Sequence, residues 1–382
     1  VPSTVPARPS PAAGTPPDAM IALEGLTKRF PGSTAPAVDG LDLAVPRGEL
    51  VVFVGPSGCG KTTTLKMINR IIEPSAGRVV LDGTDATERP AHELRRDIGY
   101  VIQQIGLFPH RTIAQNVATV PRLLGWDKDR IAARTDELLS LMDLDPELAG
   151  RYPMALSGGQ RQRVGVARAL AADPPVLLMD EPYGAVDPLV RGRLQDQLLT
   201  LQRELGKTIV FVTHDIDEAI KLGDRIAILN VGGVLEQYAT PAELLGAPAN
   251  DFVRSFLGEE RGLKRLSLLT TGDTDLERGP VVDATASAEQ AFRVATAEGV
   301  DWVGVLDGSR LRGWLWTADL DPVRVVGDHD THPFWVVIDR DTSLRGAVDA
   351  IVTTANQVAV VVDGEDYLGM LFLRDVVRQL AS

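Results

Sequence analysis

The chain has one cysteine in 382 residues, Cys59, so no intrachain disulfide can form and a reducing compartment is the simpler expectation. It also has no run of about eighteen uninterrupted apolar residues, which excludes an ordinary membrane-spanning helix. If the protein moves a solute, another chain supplies the pore. Positive charge is in deficit, with 39 Lys and Arg against 52 Asp and Glu and a formal net charge of -13. Such a balance argues against a surface that tracks nucleic-acid phosphates. The first twenty residues, VPSTVPARPSPAAGTPPDAM, offer no apolar face to bury and read as a disordered leader over 1–19. They lack the apolar central run of a signal peptide. The rest is ordinary globular composition, 44% hydrophobic and 24% charged, at a length that suits two or three domains.

Chemistry begins at Gly48–Gly55, a short apolar strand followed by Gly55-Pro-Ser57-Gly58-Cys59-Gly60-Lys61-Thr62-Thr63 and then a helical pattern. Strand, glycine-rich loop and helix in this order form a phosphate cradle. The glycines let backbone N–H groups turn onto the phosphates, the helix N-terminus adds its positive end, and Lys61 adds a full charge. Thr62 is placed to ligate Mg²⁺. Cys59 reads as a small side chain facing away from the phosphates rather than a redox group.

Further on, Val176-Leu-Leu-Met-Asp180-Glu181 is a buried strand ending on two carboxylates. Asp180 is expected to hold Mg²⁺ through water, and Glu181 to polarise an attacking water as general base. A β-branched strand, Thr208–Thr213, ends at His214. An imidazole there is placed to contact a γ-phosphate and sense its loss. Between these strands lies Leu156-Ser157-Gly158-Gly159-Gln160, running into a good helix pattern. Ser157 is an N-cap candidate, and the paired glycines make a second anion site.

One nucleotide does not need two such sites. The combination resembles the ABC ATPase family over about residues 20–240, in which the LSGGQ element closes over the nucleotide held by the opposite subunit. The resemblance implies an α/β P-loop NTPase fold interrupted by a helical subdomain over about 95–160, with ATP and Mg²⁺ as ligands. It places Phe30 where an aromatic ring stacks on adenine, with Val38 beside it. Gln103, favoured over Gln104, falls at the glutamine that touches Mg²⁺ and the attacking water, and Ala185-Val186-Asp187 at the loop that signals across the dimer. It further implies a homodimer closed through the ATP sites, a permease docked in the groove lined by Gln103 to His110, and Glu181 activating water.

After a helical connector, 241–262, a repeat appears. Val305-Leu306-Asp307 and Gly313–Asp319 recur as Val361-Val362-Asp363 and Gly369–Asp375, at a constant offset of 56 residues. Each unit reads as helix, strand, turn, strand, helix. This resembles tandem CBS modules, expected at 263–322 and 323–382, an α+β pair following the ATPase domain. In that family a Thr-x-Asp ending fixes a nucleotide, here Thr317 and Asp319. Leu373 replaces the hydroxyl in the second repeat, so at most one site for an adenine nucleotide or cyclic dinucleotide is expected, and the alternative is a pair that only dimerises. Trp302, Trp314, Trp316 and Trp335 lie here and read as core packing rather than as an aromatic cage. An ABC ATPase followed by such a tail, with the wording IGYVIQQIGLFPHRTIAQNV and LLMDEPYGAVDP, resembles the ATP-binding subunits of osmoprotectant importers for glycine betaine, choline or carnitine. Relatives for another amine or an amino acid would look the same. Such a subunit sits peripherally on the cytoplasmic face of the membrane and serves an extracytoplasmic substrate-binding protein through its permease.

Overall fold

A computed structural model describes residues 18–103, 106–184, 186–354 and 358–381. The leader expected at 1–19 falls almost wholly outside the described residues, as do Gln104 and Ala185. The chain divides into two compact units, 1–257 and 258–382.

The first unit is built on two sheets. Strands β1 (Ala19–Lys28), β2 (Val38–Pro46), β4 (Ala76–Leu81) and β5 (Thr84–Asp85) form an antiparallel sheet in the order β2-β1-β4-β5. Strands β3 (Leu50–Val54), β6 (Ile98–Val101), β7 (Val176–Asp180), β8 (Thr208–Val212), β9 (Arg225–Asn230) and β10 (Val234–Ala239) form the second, ordered β10-β9-β3-β8-β7-β6. All its pairs are parallel except β9 with β10. Strands β3, β7 and β8 are buried at every position. That is the expected result for apolar, β-branched runs covered on both faces. Their C-terminal ends therefore emerge together at one edge of the sheet, with β8 directly between β3 and β7. Ligands in open parallel sheets bind at such an edge.

The helical excursion starts after β6 rather than at residue 95. It comprises the helices Ile113–Val117, Thr119–Leu123, Lys128–Leu141 and Gly158–Leu170. Residues 98–101 pair with β7, so they belong to the main sheet.

The second unit holds one six-stranded sheet, β11 (Val281–Asp283), β12 (Trp302–Asp307), β13 (Arg310–Trp316), β14 (Val337–Asp339), β15 (Val358–Asp363) and β16 (Asp366–Phe372), ordered β11-β12-β13-β16-β15-β14. Each 56-residue repeat folds as strand, helix, strand, strand. The three-residue strands β11 and β14 were not legible in the sequence pattern, and the first repeat ends in a single 3₁₀ turn, Thr317–Asp319, instead of a helix.

The repeats complete each other's cores. Leu266 packs with Leu344, Val361, Leu371 and Val376 of the second repeat, while Val326 packs with Ala291, Val303 and Leu315 of the first. The recurring glycines follow from this exchange. A Cβ on Gly313 would lie 2.5 Å from the His332 carbonyl oxygen, and one on Gly369 would lie 2.7 Å from Leu276 Cβ. Each glycine admits the segment that leads into the opposite repeat.

Candidate functional site

The phosphate loop, the acidic pair Asp180–Glu181 and His214 sit at the ends of β3, β7 and β8. The loop after β3 needs its glycines for space. A Cβ on Gly55 would lie 2.0 Å from the Leu229 carbonyl oxygen, and one on Gly60, at φ +103°, would lie 2.5 Å from that of Ala37. Lys61 is 6% exposed, and its ammonium donates to the carbonyls of Gly55 (2.7 Å) and Pro56 (3.1 Å) inside the loop. Ser57 and Gly58 lie on the rim of the loop, and Thr62 and Thr63 open the helix Lys61–Ile68 half-buried. Cys59 is fully buried in the core cluster under the loop, where its sulfur accepts from the Lys61 ammonium at 3.7 Å.

The Thr62 hydroxyl donates to Asp180 Oδ1 at 2.8 Å. These two hard oxygens, one neutral and one anionic, suit a small cation that keeps most of its own water and phosphate ligands. Asp180 is 5% exposed. Burial pushes its carboxyl above the usual carboxylate range, and the Glu181 charge adds to this, against the pull of Thr62, Lys66 and Lys61. Behind it, burial and then the Asp180 charge push the Tyr100 hydroxyl upward.

Glu181 leaves the strand at φ +43°, a left-handed conformation that costs a non-glycine residue roughly 1–3 kcal/mol and persists where surroundings over-determine it. Here its N–H is held by the Val212 carbonyl at 2.9 Å. Glu181 Oε2 accepts from Gln103 Nε2 at 3.1 Å and lies 3.4 Å from His214 Nδ1. One carboxylate oxygen thus gathers the expected base, glutamine and switch histidine.

Ser157 caps the helix Gly158–Leu170 in a reciprocal box: Gln160 N–H donates to Ser157 Oγ at 3.2 Å and Ser157 N–H to Gln160 Oε1 at 2.9 Å. Ser157, Gly158, Gly159 and Gln160 share a cavity of about 440 Å³ with Val186 and Asp187, and its lining includes none of Lys61, Thr62, Asp180 or Glu181. Within one chain the two anion sites are separate.

Phe30 is 42% exposed, with the Lys28 ammonium 5.4 Å from its ring centre, and is open to stack on a base. Val38 differs from expectation. It is fully buried, wedged under Gly60 and Gly233, and shapes the floor of the loop without an exposed face for adenine. In the tail, Thr317 Oγ1 donates to the Asp301 carbonyl at 3.0 Å, and Asp319 closes the same turn. Trp302, Trp314, Trp316 and Phe334 meet edge to face at 4.7–6.4 Å between ring centres, but Trp302 and Trp314 are only half-buried and Trp316 and Trp335 are exposed, so the expected core packing holds in part.

Arg191, Gln195 and Glu218, which surround the His214 turn, belong to no motif legible in the sequence. The only signal was the run Asp215-x-x-Glu218, which reads as an ordinary helix start.

A family model described as ABC transporter matches residues 38–184. The chain is 49% identical over 333 residues to the osmoprotectant import ATP-binding protein OsmV of Salmonella typhimurium, covering 85% of this chain and 87% of that one. It is 46% identical over 361 residues to the glycine betaine/carnitine/choline transport ATP-binding protein OpuCA of Bacillus subtilis, covering 93% and 94%. Among solved structures, the dimeric bacterial ABC transporter cassette MJ0796 superposes with a TM-score of 0.53 at 37% identity, over 58% of this chain and 99% of that one. The same cassette in a dimeric post-hydrolysis state bound to ADP and Pi matches with the same TM-score at 36% identity. Sequence, fold and the ring of groups around Glu181 agree: the chain belongs to the ABC transporter family, as an ATP-binding subunit that hydrolyses ATP.

Proposed function

We propose that this protein energises an importer for osmoprotectants of the quaternary-amine class, glycine betaine, choline or carnitine, by hydrolysing ATP at sites split between two copies. The observation that carries the catalytic part is the single Glu181 oxygen shared by Gln103 and His214, one residue beyond the Asp180–Thr62 pair. Lys61 and the N–H groups of Gly58 to Thr63 bind the phosphates, and Phe30 stacks on the base. Thr62, Asp180 and Gln103 would hold Mg²⁺, which when bound supplies charge neutralisation at the β- and γ-phosphates. Glu181 accepts the proton of the attacking water, Gln103 orients that water, and His214 donates to the γ-phosphate and registers its departure. The second anion site, Ser157 to Gln160 with Asp187 at its edge, faces the nucleotide of the opposing copy. Closure and release of that pair drive an integral-membrane permease.

The described residues contain no helix long and apolar enough to cross a membrane. As the ATPase of an importer, the subunit would sit peripherally on the cytoplasmic face, docked to the permease by the groove between Tyr100, Ile102, Phe108 and Arg168. An extracytoplasmic binding protein is an indirect partner. The tail is read as a CBS pair in which Thr317 and Asp319 offer one site to an adenine nucleotide or cyclic dinucleotide. Titration of these ligands against parent and Thr317→Val protein, with equal affinity or none, would remove that site.

Cargo rests on the relatives named above. Vesicles holding this chain and its genomically adjacent permease and binding protein should take up glycine betaine, choline or carnitine in an ATP-dependent way; uptake of an unrelated amino acid alone would overturn the assignment. For catalysis, Glu181→Gln should lower kcat at least about 100-fold while ATP still binds. Parent-like turnover would show that Glu181 is not the base.

A further inference from the structure

Glu218 is 7% exposed, an unusual position for a carboxylate at the first turn of a surface helix. The helix Ile216–Leu222 has Asp215 as N-cap, accepting from the N–H groups of Asp217 (2.9 Å) and Glu218 (3.3 Å). A glutamate three residues after the cap ordinarily folds back onto the cap residue's N–H. Here that N–H is already taken, because Asp215 N donates to Thr213 Oγ1 at 3.0 Å. The Glu218 side chain turns inward instead. It accepts from Gln195 Nε2 at 3.0 Å, and the Thr213 hydroxyl also donates to it.

The partners matter more than the burial. Thr213 and Asp215 are the two residues flanking His214, and Gln195 lies on the helix Pro188–Leu205, which begins at the loop carrying Val186 and Asp187. On the same helix, Arg191 places Nη1 3.8 Å from Asp215 Oδ2 and donates from Nη2 to the Val186 carbonyl at 3.4 Å. A cavity of about 40 Å³ is walled by Glu181, His214, Glu218 and Arg191 together with Tyr183 and Thr213. Burying a carboxylate is costly unless its oxygens are well supplied with donors. A leucine in this place would pack as well and leave the His214 turn untethered.

We propose that Glu218 is a positioning residue for ATP hydrolysis: with Gln195 and Arg191 it ties the side chains of Thr213 and Asp215, on either side of His214, to the helix that follows the inter-subunit loop. Movement of Val186 and Asp187 when two copies close is thereby transmitted to His214 and to its distance from Glu181. Glu218 thus acts through His214 rather than on the reacting atoms. This rests on the reading of Glu181 and His214 as catalytic groups.

The test compares Glu218→Ala, Glu218→Gln and Gln195→Ala in the full chain, with Mg-ATP turnover, ATP affinity and thermal midpoint measured on each. Glu218→Ala should lower kcat about tenfold or more with KM for ATP within about threefold, the pattern of a lost transition-state arrangement rather than lost binding. Glu218→Gln, which can still bond Gln195 and Thr213, should recover to within about threefold of the parent. Gln195→Ala, which leaves the carboxylate in place, should reproduce part of the kcat loss and keeps the proposal testable if Glu218→Ala fails to fold. Parent-like kcat in both alanine variants overturns the proposal, as does a Glu218→Gln protein no better than Glu218→Ala. Glu181→Gln run alongside separates the two levels. If it stays active the catalytic reading fails, whereas if it is inactive and Gln195→Ala and Glu218→Ala are not, only the positioning role fails.

Discussion

The neighbourhood of the ATP site and the surface turns of the tail treat their carboxylates in opposite ways. In the ATPase unit, Asp180 and Glu218 are buried, and in both cases burial is the main cause that pushes the carboxyl above its ordinary range. In the tail, Asp273 and Asp283 lie at the surface and accept from the backbone and hydroxyl of Thr270 and Thr285, which hold them below it. Acids that tie turns make a favourable local exchange, and Asp85 and Glu243 of the ATPase unit do the same with Thr87 and Thr240. Around the ATP site, by contrast, Asp180 and Glu218 are held where their charge is unfavourable until something positive or proton-bearing arrives. Perturbation by burial, clustered at the ends of three parallel strands, is what distinguishes a working site from a cap.

The largest effect that bears on this contrast is the collapse of turnover in Glu181→Gln described above. Next come two glycine substitutions. Gly60→Ala meets both a positive φ and the Ala37 carbonyl, and Gly313→Ala meets the His332 carbonyl. Each should cost roughly 1–3 kcal/mol of stability. Calorimetry on the full chain should show Gly60→Ala destabilising the ATPase unit with weakened ATP binding, and Gly313→Ala destabilising the tail with ATP binding unchanged. A common loss of ATP affinity in both would break the separation of the units.

A smaller effect sharpens the electrostatic part. Because the folded state raises the Asp180 pKa, it favours the protonated acid, and ionisation takes stability away as pH rises above the ordinary value of about 3.9. Without Mg²⁺ or nucleotide, Asp180→Asn should therefore melt higher than the parent at pH 7, the gap closing toward pH 4. Asp283 has a depressed pKa, so its contribution is present at pH 7 and is lost as pH falls through the folded value. Asp283→Asn should melt slightly lower than the parent at pH 7 and equal to it at acid pH. Shifts of the same sign in both variants would show that burial and capping are not the distinction.

How much of this was readable beforehand follows from the same physics. Phosphate chemistry demands particular residue types at fixed spacing, so Gly55 to Thr63, Asp180, Glu181 and His214 announce themselves, and the long apolar strands β3, β7 and β8 place them. Gln103 was placed by resemblance alone, and its bond to Glu181 is a contact the sequence did not announce. Val38 was placed beside Phe30 by resemblance, and a resemblance in sequence does not say that this side chain turns under Gly60 and Gly233. Glu218 was invisible for a sharper reason. Its spacing from Asp215 is that of a capping box, and only the Thr213 hydroxyl, which competes for the same N–H, turns the side chain inward. In the tail the 56-residue repeat was plain, yet the exchange of leading segments was not. Leu266 and Val326 carry no pattern that says which repeat they complete.

The central claim is that each ATP site takes Lys61, Asp180 and Glu181 from one copy and Ser157 to Gln160 from the other. Hybrid dimers test it most directly. Lys61→Ala and Gly158→Asp chains, differently tagged, are co-expressed, and the doubly tagged species is purified and assayed for Mg-ATP hydrolysis. A split site predicts that the hybrid hydrolyses ATP although neither homodimer does, since one of its two sites has Lys61 on one chain and an intact Gly158 on the other. A hybrid as inactive as its parents would place both elements in the same chain's site and contradict the account.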